Sequence, residues 1–422
     1  MAIAQSLPQG TPEQPVIIIG AGVVGLTLAH GLANADIPFE IYERDETTTS
    51  RDQGWAITLH WALAFLRQLL DSEALERVDA TQVDPEIAKN DTGNFLFLNL
   101  ETLETKFRIP PNDRRRVGRL RFREALLEDP RVGGKVHWGK KLNSIDVQQD
   151  GSVKATFVDG HSTVGSVLVG AEGTNSRTRQ YLCPETYKNH RLAVKLIGAG
   201  VDMTPEQATP LRQIDPLLFQ GCHPATNNFL WVSTLETPAT NGSEGTGKEY
   251  YKMQVILSWP VGTPEDEHVP DTDVGLAQEM KRRAASFHPT LRQAVDLVPE
   301  HDGAREIVIQ DWPCLPWDNR SGAVTLVGDA AHAMTMFRGE AANHGIMDAF
   351  HLTRALKLMH QGRVGRKEAI DGYEAEMRER TETAVLWSRE ACLGAHDWHG
   401  LNEKSAVLRR RAIKMPSDFE DV

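Results

Sequence analysis

Residues 16–25 read Val-Ile-Ile-Ile-Gly-Ala-Gly-Val-Val-Gly, an apolar run that leads into three closely spaced glycines. The run is short and β-branched, so it predicts a buried strand, and the uncharged residues 26–35 predict a helix. Residues 39–42 (Phe-Glu-Ile-Tyr) predict a second strand. Strand, helix and strand in this order form a β-α-β unit, which is typical of a parallel sheet in an α/β fold.

The glycines of this unit have the spacing of a dinucleotide-binding turn. Gly20 permits the tight turn, Gly22 lets the backbone approach a pyrophosphate, and Gly25 allows helix and strand to pack closely. The free N–H groups at the helix N-terminus favour phosphate. Glu43 ends the second strand, where an acid accepts a hydrogen bond from a ribose hydroxyl. The unit therefore predicts a bound dinucleotide but does not distinguish FAD from NAD.

Two later segments have the character of further parallel strands. Residues 164–169 and 323–327 are apolar, and each runs into a glycine with an acid close behind it. The chain between them has a different pattern, with antiparallel signals from about residue 185 to residue 310. One domain is therefore expected to form from separated pieces of chain, with another domain inserted.

The inserted part contains a predicted hairpin and a predicted helix. Asn228–Glu236 and Glu249–Val261 are rich in β-branched and aromatic residues and are joined by a glycine-rich loop. They predict two antiparallel strands. Val274–His288 has helical spacing, and Pro289 is expected to end that helix.

The motifs together resemble a known family. The second reads Val167-Leu-Val-Gly-Ala-Glu-Gly-Thr-Asn-Ser-Arg-Thr-Arg179, and the third reads Val324-Thr-Leu-Val-Gly-Asp-Ala-Ala-His332. With residues 16–25 they resemble the fingerprints of the group A flavoprotein monooxygenases of the para-hydroxybenzoate hydroxylase fold. Residues 54–63 and 373–380 are similar to those of fungal salicylate-hydroxylase-like enzymes of secondary metabolism. The resemblance spans nearly the whole chain.

The resemblance implies an α/β fold with three parts. These are a three-layer FAD-binding Rossmann-like domain, an inserted α+β substrate domain with a mostly antiparallel sheet, and a helical C-terminal tail packed on the outside. We expect the FAD-binding domain to comprise residues 1–75, 105–185 and 305–365, the substrate domain 76–104 and 186–304, and the tail 366–422.

The resemblance also implies which residues contact FAD. In the family an arginine ahead of a helix contacts the cofactor; Arg119 fits this position best, although Arg121 lies close to it. The second motif serves both FAD and NAD(P)H, with matches at Gly170, Gly173, Ser176 and Arg179. The expected FAD contacts are Gly20, Gly22, Val24, Gly25, Glu43, Arg44, Arg119, Glu172, Gly328, Asp329, Gly339, Ala341, Ala342 and Asn343.

The activity implied is that of an NAD(P)H-dependent FAD monooxygenase. Such an enzyme inserts one oxygen atom from O₂ into an aromatic, polyketide- or indole-derived small molecule through a flavin hydroperoxide. The chain has one full dinucleotide-binding unit, so NADPH or NADH is expected to bind transiently. Two alternatives stay open: an FAD-dependent oxidase, dehydrogenase or cyclisation enzyme that has lost oxygen insertion, and a flavin-binding sensor or scaffold without catalysis.

Several positions depart from the family pattern. Met336 stands where proline is usual, residues 339–341 (Gly-Glu-Ala) stand for Gly-x-Gly, Met347 stands for Glu or Gln, and Glu172 stands for Asp. Glu340 is expected either to face solvent in the first helical turn, where an acid is favourable, or to point at the flavin and disfavour its reduction. The departures bear on oxygen insertion more than on FAD binding.

Arg191 and Lys195 are the predicted catalytic residues. They alternate along one predicted strand and therefore share a face. If that face looks at the flavin, the two cations lower the pKa of a phenol or bind a carboxylate. The alternative is an exposed strand face. His332 and His344 flank the expected flavin loop, and we expect them to pack as neutral rings or to bond the backbone.

The composition excludes several other classes. With 46 Lys and Arg against 58 Asp and Glu, the net charge is −12, which argues against a nucleic-acid partner. The four cysteines have no Cys-x-x-Cys spacing, and the histidines lack metal-ligand spacing, so no metal site is expected. No signal peptide or C-terminal anchor is recognised, which favours a cytoplasmic enzyme without a membrane anchor. The oligomeric state is not predicted.

Overall fold

The computed structural model describes residues 14–48, 50, 55–111 and 113–413. Three parts of the predictions lie outside the described residues: residues 1–13 of the first domain, Gly54, and residues 414–422 of the tail. Within the described ranges, no helix combines the length and the apolar character needed to cross a membrane.

The strands are short and distributed over the whole chain. In chain order they are β1 (Val16–Ile19), β2 (Phe39–Tyr42), β3 (Ala56–Leu59), β4 (Phe95–Asn99), β5 (Thr105–Ile109), β6 (Arg115–Gly118), β7 (Val136–His137), β8 (Leu142–Val147), β9 (Val153–Phe157), β10 (Ser162–Gly165), β11 (Val167–Gly170), β12 (His190–Arg191), β13 (Val194–Met203), β14 (Leu218–Cys222), β15 (Phe229–Glu236), β16 (Tyr251–Pro260), β17 (Ala304–Glu306), β18 (Gln310–Asp311) and β19 (Val324–Leu326).

The helices become longest toward the C-terminal end. In chain order they are α1 (Val23–Asn34), α2 (Leu63–Leu69), α3 (Ser72–Asp79), α4 (Pro85–Ala88), α5 (Arg119–Leu127), α6 (Pro130–Gly133), α7 (Arg177–Leu182), α8 (Pro205–Ile214), α9 (Pro238–Asn241), α10 (Pro264–Glu267), α11 (Asp273–Arg283), α12 (Pro289–Asp296), α13 (Asp329–His332), α14 (Ala341–His360) and α15 (Arg366–Ala395), with 3-10 turns at Met336–Arg338 and Ala406–Leu408.

Five parallel strands form the first sheet, in the order β19-β11-β1-β2-β7. Strand β1 lies at the centre, with Ile17 between Leu168 and Glu40 of its neighbours. All four residues of β1 are buried, as expected of a parallel strand covered on both faces. Helix α1 packs against α14 and α5. The predicted β-α-β unit and the α/β fold class are therefore confirmed.

The predicted strand 164–169 is two strands that belong to different sheets. Strand β10 ends at Gly165 in a small antiparallel sheet of order β10-β9-β8, and β11 begins at Val167 in the parallel sheet. A Cβ atom on Gly165 would lie 2.4 Å from the carbonyl oxygen of Pro15. Glycine is required at this crossing, and the Gly165-Ser166 interruption of the apolar run was the available signal for it.

A seven-stranded sheet of order β17-β13-β16-β15-β14-β4-β5 forms the second core. Strands β15 and β16 are antiparallel, which confirms the predicted hairpin. Strand β5 pairs with β4 and β17 pairs with β13. The expected domain boundaries at residues 105 and 305 thus do not follow the sheet, because they assign β5 and part of β17 to the FAD-binding domain.

The predicted helix 274–288 is shorter in the structure. Helix α11 ends at Arg283, and Pro289 opens α12 instead of ending α11. Proline suits the first helical position because its missing N–H would have no intrahelical partner there. The His288 side chain caps α12 by accepting from the Thr290 N–H at 3.3 Å.

The tail is helical as predicted but does not pack only on the outside. Helix α15 buries one face against α14, and its Tyr373 hydroxyl donates to the Leu326 carbonyl of the parallel sheet at 2.8 Å. Farther along, Cys392 and Leu408 enter an apolar cluster with strands of the second sheet. The tail therefore fastens the two sheets together.

Candidate active site

The first glycine turn has the geometry of a phosphate cradle. Gly20 has φ +111°, and a Cβ atom there would lie 2.6 Å from the Ala171 carbonyl oxygen. A Cβ atom on Gly25 would lie 2.2 Å from the Gly20 carbonyl oxygen. A Cβ atom on Gly22 would have no heavy atom within 4 Å, because Gly22 faces a cavity at the N-terminus of α1.

Glu43 is held at the edge of that cavity by backbone donors. Its carboxylate accepts hydrogen bonds from the Ala21 N–H at 2.8 Å and the Asp45 N–H at 3.0 Å. Arg123, which the sequence analysis did not single out, donates from Nε to the Ala21 carbonyl at 2.7 Å and lies 4.0 Å from the Glu43 carboxylate. Its position four residues after Arg119 on α5 was the available signal.

The cavity in front of the glycine turn, here called the dinucleotide cavity, has a volume of about 330 Å³. Most predicted FAD contacts line it. These are Gly20, Gly22, Val24, Glu43, Arg44, Arg119, Glu172, Asp329, Ala341 and Ala342. Lys140, Asn175 and Arg177 also line it and were not predicted. Arg121 does not; it lines a separate groove.

Three of the four remaining predicted contacts lie behind the cavity wall. Gly25 lies at a close backbone approach, and Gly328, with φ +60°, lies against the Val24 side chain. Asn343 accepts from the His60 N–H at 3.0 Å and donates to the Thr58 carbonyl at 3.0 Å, so it fixes the end of β3 against α14. The last, Gly339, lines a second cavity described below.

Glu172, which replaces the usual aspartate, caps helix α7. Its carboxylate accepts from the Ser176 hydroxyl at 2.6 Å, from the Thr178 N–H at 3.0 Å and from the Thr178 hydroxyl at 2.9 Å. Burial raises its pKa. Gly170 and Gly173 flank this turn. The Glu172 side chain, which is longer than that of the usual aspartate, thus bonds Thr178 in the first turn of α7.

Arg179 braces the third motif from behind. It is 2% exposed and donates to the carbonyl oxygens of Asp329 at 3.3 Å and of Thr174. Burial lowers its pKa to about 10. It does not line the dinucleotide cavity, so its place in the motif is that of a positioning residue.

Asp348 anchors the same turn from the other side. It accepts from the Gly328 N–H at 2.8 Å, from His332 Nε2 at 2.5 Å and from Arg380 Nη2 at 2.7 Å. The hydrogen bonds from His332 and Arg380, together with the Arg380 charge, hold the pKa of Asp348 well below its usual range despite its burial. His332 thus bonds a buried carboxylate and not the backbone, which was one of the two roles expected for it. His344 contacts Arg380 at 2.9 Å, and burial together with that cation lowers its pKa.

The structure overturns both interpretations of Glu340. Its side chain neither faces solvent nor lines a cavity: it is buried and accepts a 2.5 Å hydrogen bond from Arg338 Nε. Arg338 also donates to the Ala406 carbonyl at 2.5 Å. The carboxylate is therefore neutralised within the loop. The bend at Gly339, with φ +65°, brings these two side chains together, and no spacing pattern in the sequence predicts such a bend.

A second cavity of about 390 Å³, here called the interdomain cavity, lies between β3 and the seven-stranded sheet. It shares Ile57, Arg119, Asp329, Ala341 and Ala342 with the dinucleotide cavity. Its other walls are mainly apolar and aromatic, and they include Trp55, Leu196, Phe229, Trp231, Ile256, Ile307, Met336 and Phe337. Polar side chains interrupt the apolar wall at Arg116, Gln220, Gln254, Thr58 and Thr335.

The predicted catalytic pair lies elsewhere. Arg191 is exposed on the short strand β12, whereas Lys195 lies on β13, where its amine pairs with Glu267 at 2.7 Å. Residues 192–193 belong to no strand and separate β12 from β13. Arg191 and Lys195 therefore do not alternate along one strand, as was predicted. Neither residue lines the dinucleotide or the interdomain cavity.

The parallel sheet, its glycine turn and the cavity in front of that turn define a dinucleotide-binding α/β fold. Comparison with known proteins agrees. Residues 13–388 match the family of the FAD binding domain. The chain is 45% identical over 348 residues to the FAD-dependent monooxygenase dbaB of Emericella nidulans, covering 82% of this chain and 87% of that protein.

Two further likenesses extend the comparison. The chain is 32% identical over 366 residues to the FAD-dependent monooxygenase tazP of Aspergillus terreus, covering 81% of this chain and 88% of that protein. The crystal structure of Klebsiella pneumoniae HpxO complexed with FAD and uric acid superposes with a TM-score of 0.70 at 18% identity, covering 92% and 90% of the two chains. The chain belongs to the FAD-dependent monooxygenases that carry this domain. The predicted family, enzyme class and FAD cofactor are confirmed.

Proposed function

We propose that the protein is an NAD(P)H-dependent monooxygenase that inserts one oxygen atom into an aromatic small molecule of polyketide or indole origin. The observation that carries this proposal is the continuity of the dinucleotide and interdomain cavities through five common residues. A flavin held by its phosphates at the glycine turn would present its ring where the two cavities meet.

The chain's residues fit FAD. Gly22 and the α1 N-terminus offer room and N–H donors to a pyrophosphate, and Arg44 and Arg119 add positive charge along the cavity. We propose that Glu43 accepts from the adenosine ribose and that Asp329 bonds the ribityl chain. When bound, FAD supplies hydride acceptance from the nicotinamide and the activation of O₂.

The described residues also provide the environment for that chemistry. The N-terminus of α14, a helix of 20 residues, opens on the junction at Ala341 and Ala342. Its partial positive charge stabilises negative charge that develops there. The pairing of Glu340 with Arg338 keeps a free carboxylate away from this end. The apolar walls of the interdomain cavity exclude water from the reacting groups.

The same observations bear on the organisation and on the alternatives. We propose that the parallel-sheet part is the FAD-binding domain and that the seven-stranded sheet, including β5 and β17, is the substrate domain.

The alternative of a flavoenzyme without oxygen insertion rested on the departures near the flavin. Since Glu340 is paired with Arg338 and Glu172 is a helix cap, these two departures no longer favour it, whereas Met336 and Ala341 line the interdomain cavity.

The test is turnover with labelled dioxygen. Purified protein with FAD is given NADPH or NADH and a panel of phenols and indoles, and nicotinamide oxidation and product mass are followed. We expect substrate-stimulated oxidation of one nicotinamide and one labelled oxygen atom in the product. Reduction of the flavin by the substrate itself, or a product without label, would contradict the proposal.

A further inference from the structure

Gln220 is a buried amide without a partner in the described part of the chain. Its side chain is fully buried on β14, and neither Oε1 nor Nε2 has a hydrogen-bond partner. Both atoms of a buried amide are normally bonded, because an unpaired buried polar group destabilises the fold. Gln220 also lines the interdomain cavity, so a ligand in that cavity would meet the unpaired amide.

The sheet register places Gln220 on an otherwise apolar surface. It lies opposite Phe97 on β4 and opposite Trp231 on β15, and Trp231 lies opposite Ile256 on β16. Directly opposed residues of a sheet share one face. The row therefore forms an aromatic and aliphatic floor with a single amide in it, which suits a flat ring with a polar substituent.

Arg116 is a second buried group that is incompletely paired. It is 4% exposed. Its Nη1 donates to the Thr58 hydroxyl at 2.9 Å and its Nη2 to the Ser233 hydroxyl at 2.7 Å, while Nε has no partner. Among the described residues, no carboxylate lies within 4.0 Å of this guanidinium. Burial lowers its pKa to about 9, so it stays a cation at neutral pH.

The two groups lie close enough to contact one ligand. Ser233, which holds Arg116, is two residues from Trp231, which faces Gln220. Two residues along a strand span about 7 Å, which matches an aromatic ring with oxygen substituents at opposite ends. Ring stacking is available from Trp231, whose indole N–H donates to Ser233 at 3.1 Å.

We propose that Gln220 and Arg116 recognise an aromatic substrate with at least two oxygen substituents, one an ionised ring hydroxyl on Arg116 and the other a carbonyl or hydroxyl on Gln220. The inference rests on the proposed function and deepens it. A phenolate supplies the counter-charge that the Arg116 guanidinium lacks. The phenolate is also the electron-rich form of the ring that accepts an electrophilic oxygen. The Gln220 amide can bond either substituent, because its N–H donates to a carbonyl oxygen and its own oxygen accepts from a hydroxyl.

The test compares two para-substituted phenols in wild type and in Gln220→Met. The probe para-hydroxyacetophenone carries a hydroxyl and a carbonyl oxygen, whereas para-ethylphenol carries the hydroxyl alone. Dissociation constants are measured from the change in the spectrum of bound oxidised FAD. We expect Gln220→Met to weaken the ketone about tenfold, the worth of one to two hydrogen bonds, and to leave para-ethylphenol unchanged. An unchanged affinity for the ketone would overturn the proposal.

Thermal unfolding without ligand provides the second measurement and a matched control. Gln254 lines the same cavity but accepts from Ser233 at 3.0 Å, so Gln254→Met should lower Tm. Gln220→Met should not lower it, because the amide it removes has no partner; a fall equal to that of Gln254→Met would show a structural role and overturn the proposal. If Gln220→Met does not fold, Gln220→Leu is used for both measurements.

The role of Arg116 has its own spectroscopic signature. Bound para-hydroxyacetophenone should show the phenolate absorption band at a pH below the ligand's own pKa, and Arg116→Gln should remove that band. A ligand bound in the neutral form by wild type would overturn the assignment to Arg116. Because these are binding measurements, a protein that shows them but inserts no oxygen contradicts only the proposed function.

Discussion

The ion pair between Arg338 and Glu340 leads to a sharp prediction about the loop beside the flavin. Considered from the sequence, replacing Glu340 with Gln should remove a charge that opposes flavin reduction. In the structure the carboxylate pairs with Arg338 at 2.5 Å, and the two side chains are 6% and 3% exposed. We therefore expect Glu340→Gln to destabilise the protein instead.

The magnitude follows from what the substitution leaves behind. Arg338 stays buried beside a second buried cation, Arg411, whose own hydrogen bonds go to carbonyl oxygens. The lost attraction is that between Arg338 and Glu340. Opposite charges about 4 Å apart attract each other by about 4 kcal/mol at an effective dielectric near 20. Removing one partner of a buried pair typically costs about 3–5 kcal/mol. For a chain of 422 residues, that corresponds to a fall in Tm of roughly 3–6 °C.

The assay is thermal unfolding of FAD-loaded protein, followed by circular dichroism and by the release of flavin fluorescence. The matched control is the double variant Arg338→Met with Glu340→Met, which removes both charges. It should recover most of the stability, because replacing a whole buried pair with apolar residues is often neutral. A Glu340→Gln protein with the wild-type Tm, or a double variant no more stable than the single one, would refute the reasoning.

Three further predictions concern the cofactor and pH. Gly22→Val should give folded but colourless protein, since the Cβ atom has open space only toward the dinucleotide cavity. Gly25→Val should fail to fold, because its Cβ atom would lie 2.2 Å from the Gly20 carbonyl oxygen. Circular dichroism measures folding in both variants, and flavin absorbance measures bound FAD. Acid precipitation should leave the yellow colour in the supernatant, because no His or Cys lines either cavity among the described residues; colour in the pellet would indicate a covalent link. The free energy of unfolding should fall as pH drops from about 6.5 to about 4. Burial lowers the pKa of His60 to about 3 and of His396 to about 4, so the unfolded chain binds more protons than the folded chain in that window. Urea unfolding at about pH 5 and about pH 7 measures the difference, which His396→Gln should reduce.

The parts of the fold that the sequence predicted correctly are set by local chemistry. The turn at Gly20 requires a positive φ and a close backbone approach, and these needs fix glycines at recognisable spacing. The same holds for the hairpin of β15 and β16, whose β-branched content is visible residue by residue. The predicted cofactor contacts that line the dinucleotide cavity belong to such local patterns.

The failures have two causes, which are local departures from regular backbone geometry and contacts between distant parts of the chain. Arg191 and Lys195 alternate in sequence, but a break in the strand after Arg191 separates their faces. Glu340 meets Arg338 only because the chain bends at Gly339. The wall of the interdomain cavity is assembled from strands far apart in the chain, as the hydrogen bond from Arg116 to Ser233 shows. No spacing rule relates such residues.

This division has a consequence for how the site can change. The third-motif turn lines both cavities, and it is held from behind by Arg179 and Asp348, neither of which lines either cavity. The cofactor side is thus braced independently of the sheet that forms the opposite wall. Gln220 and Trp231 lie on that sheet, where a substitution alters the cavity surface without touching the brace. Substrate preference can therefore vary through the seven-stranded sheet while the geometry of FAD binding stays fixed.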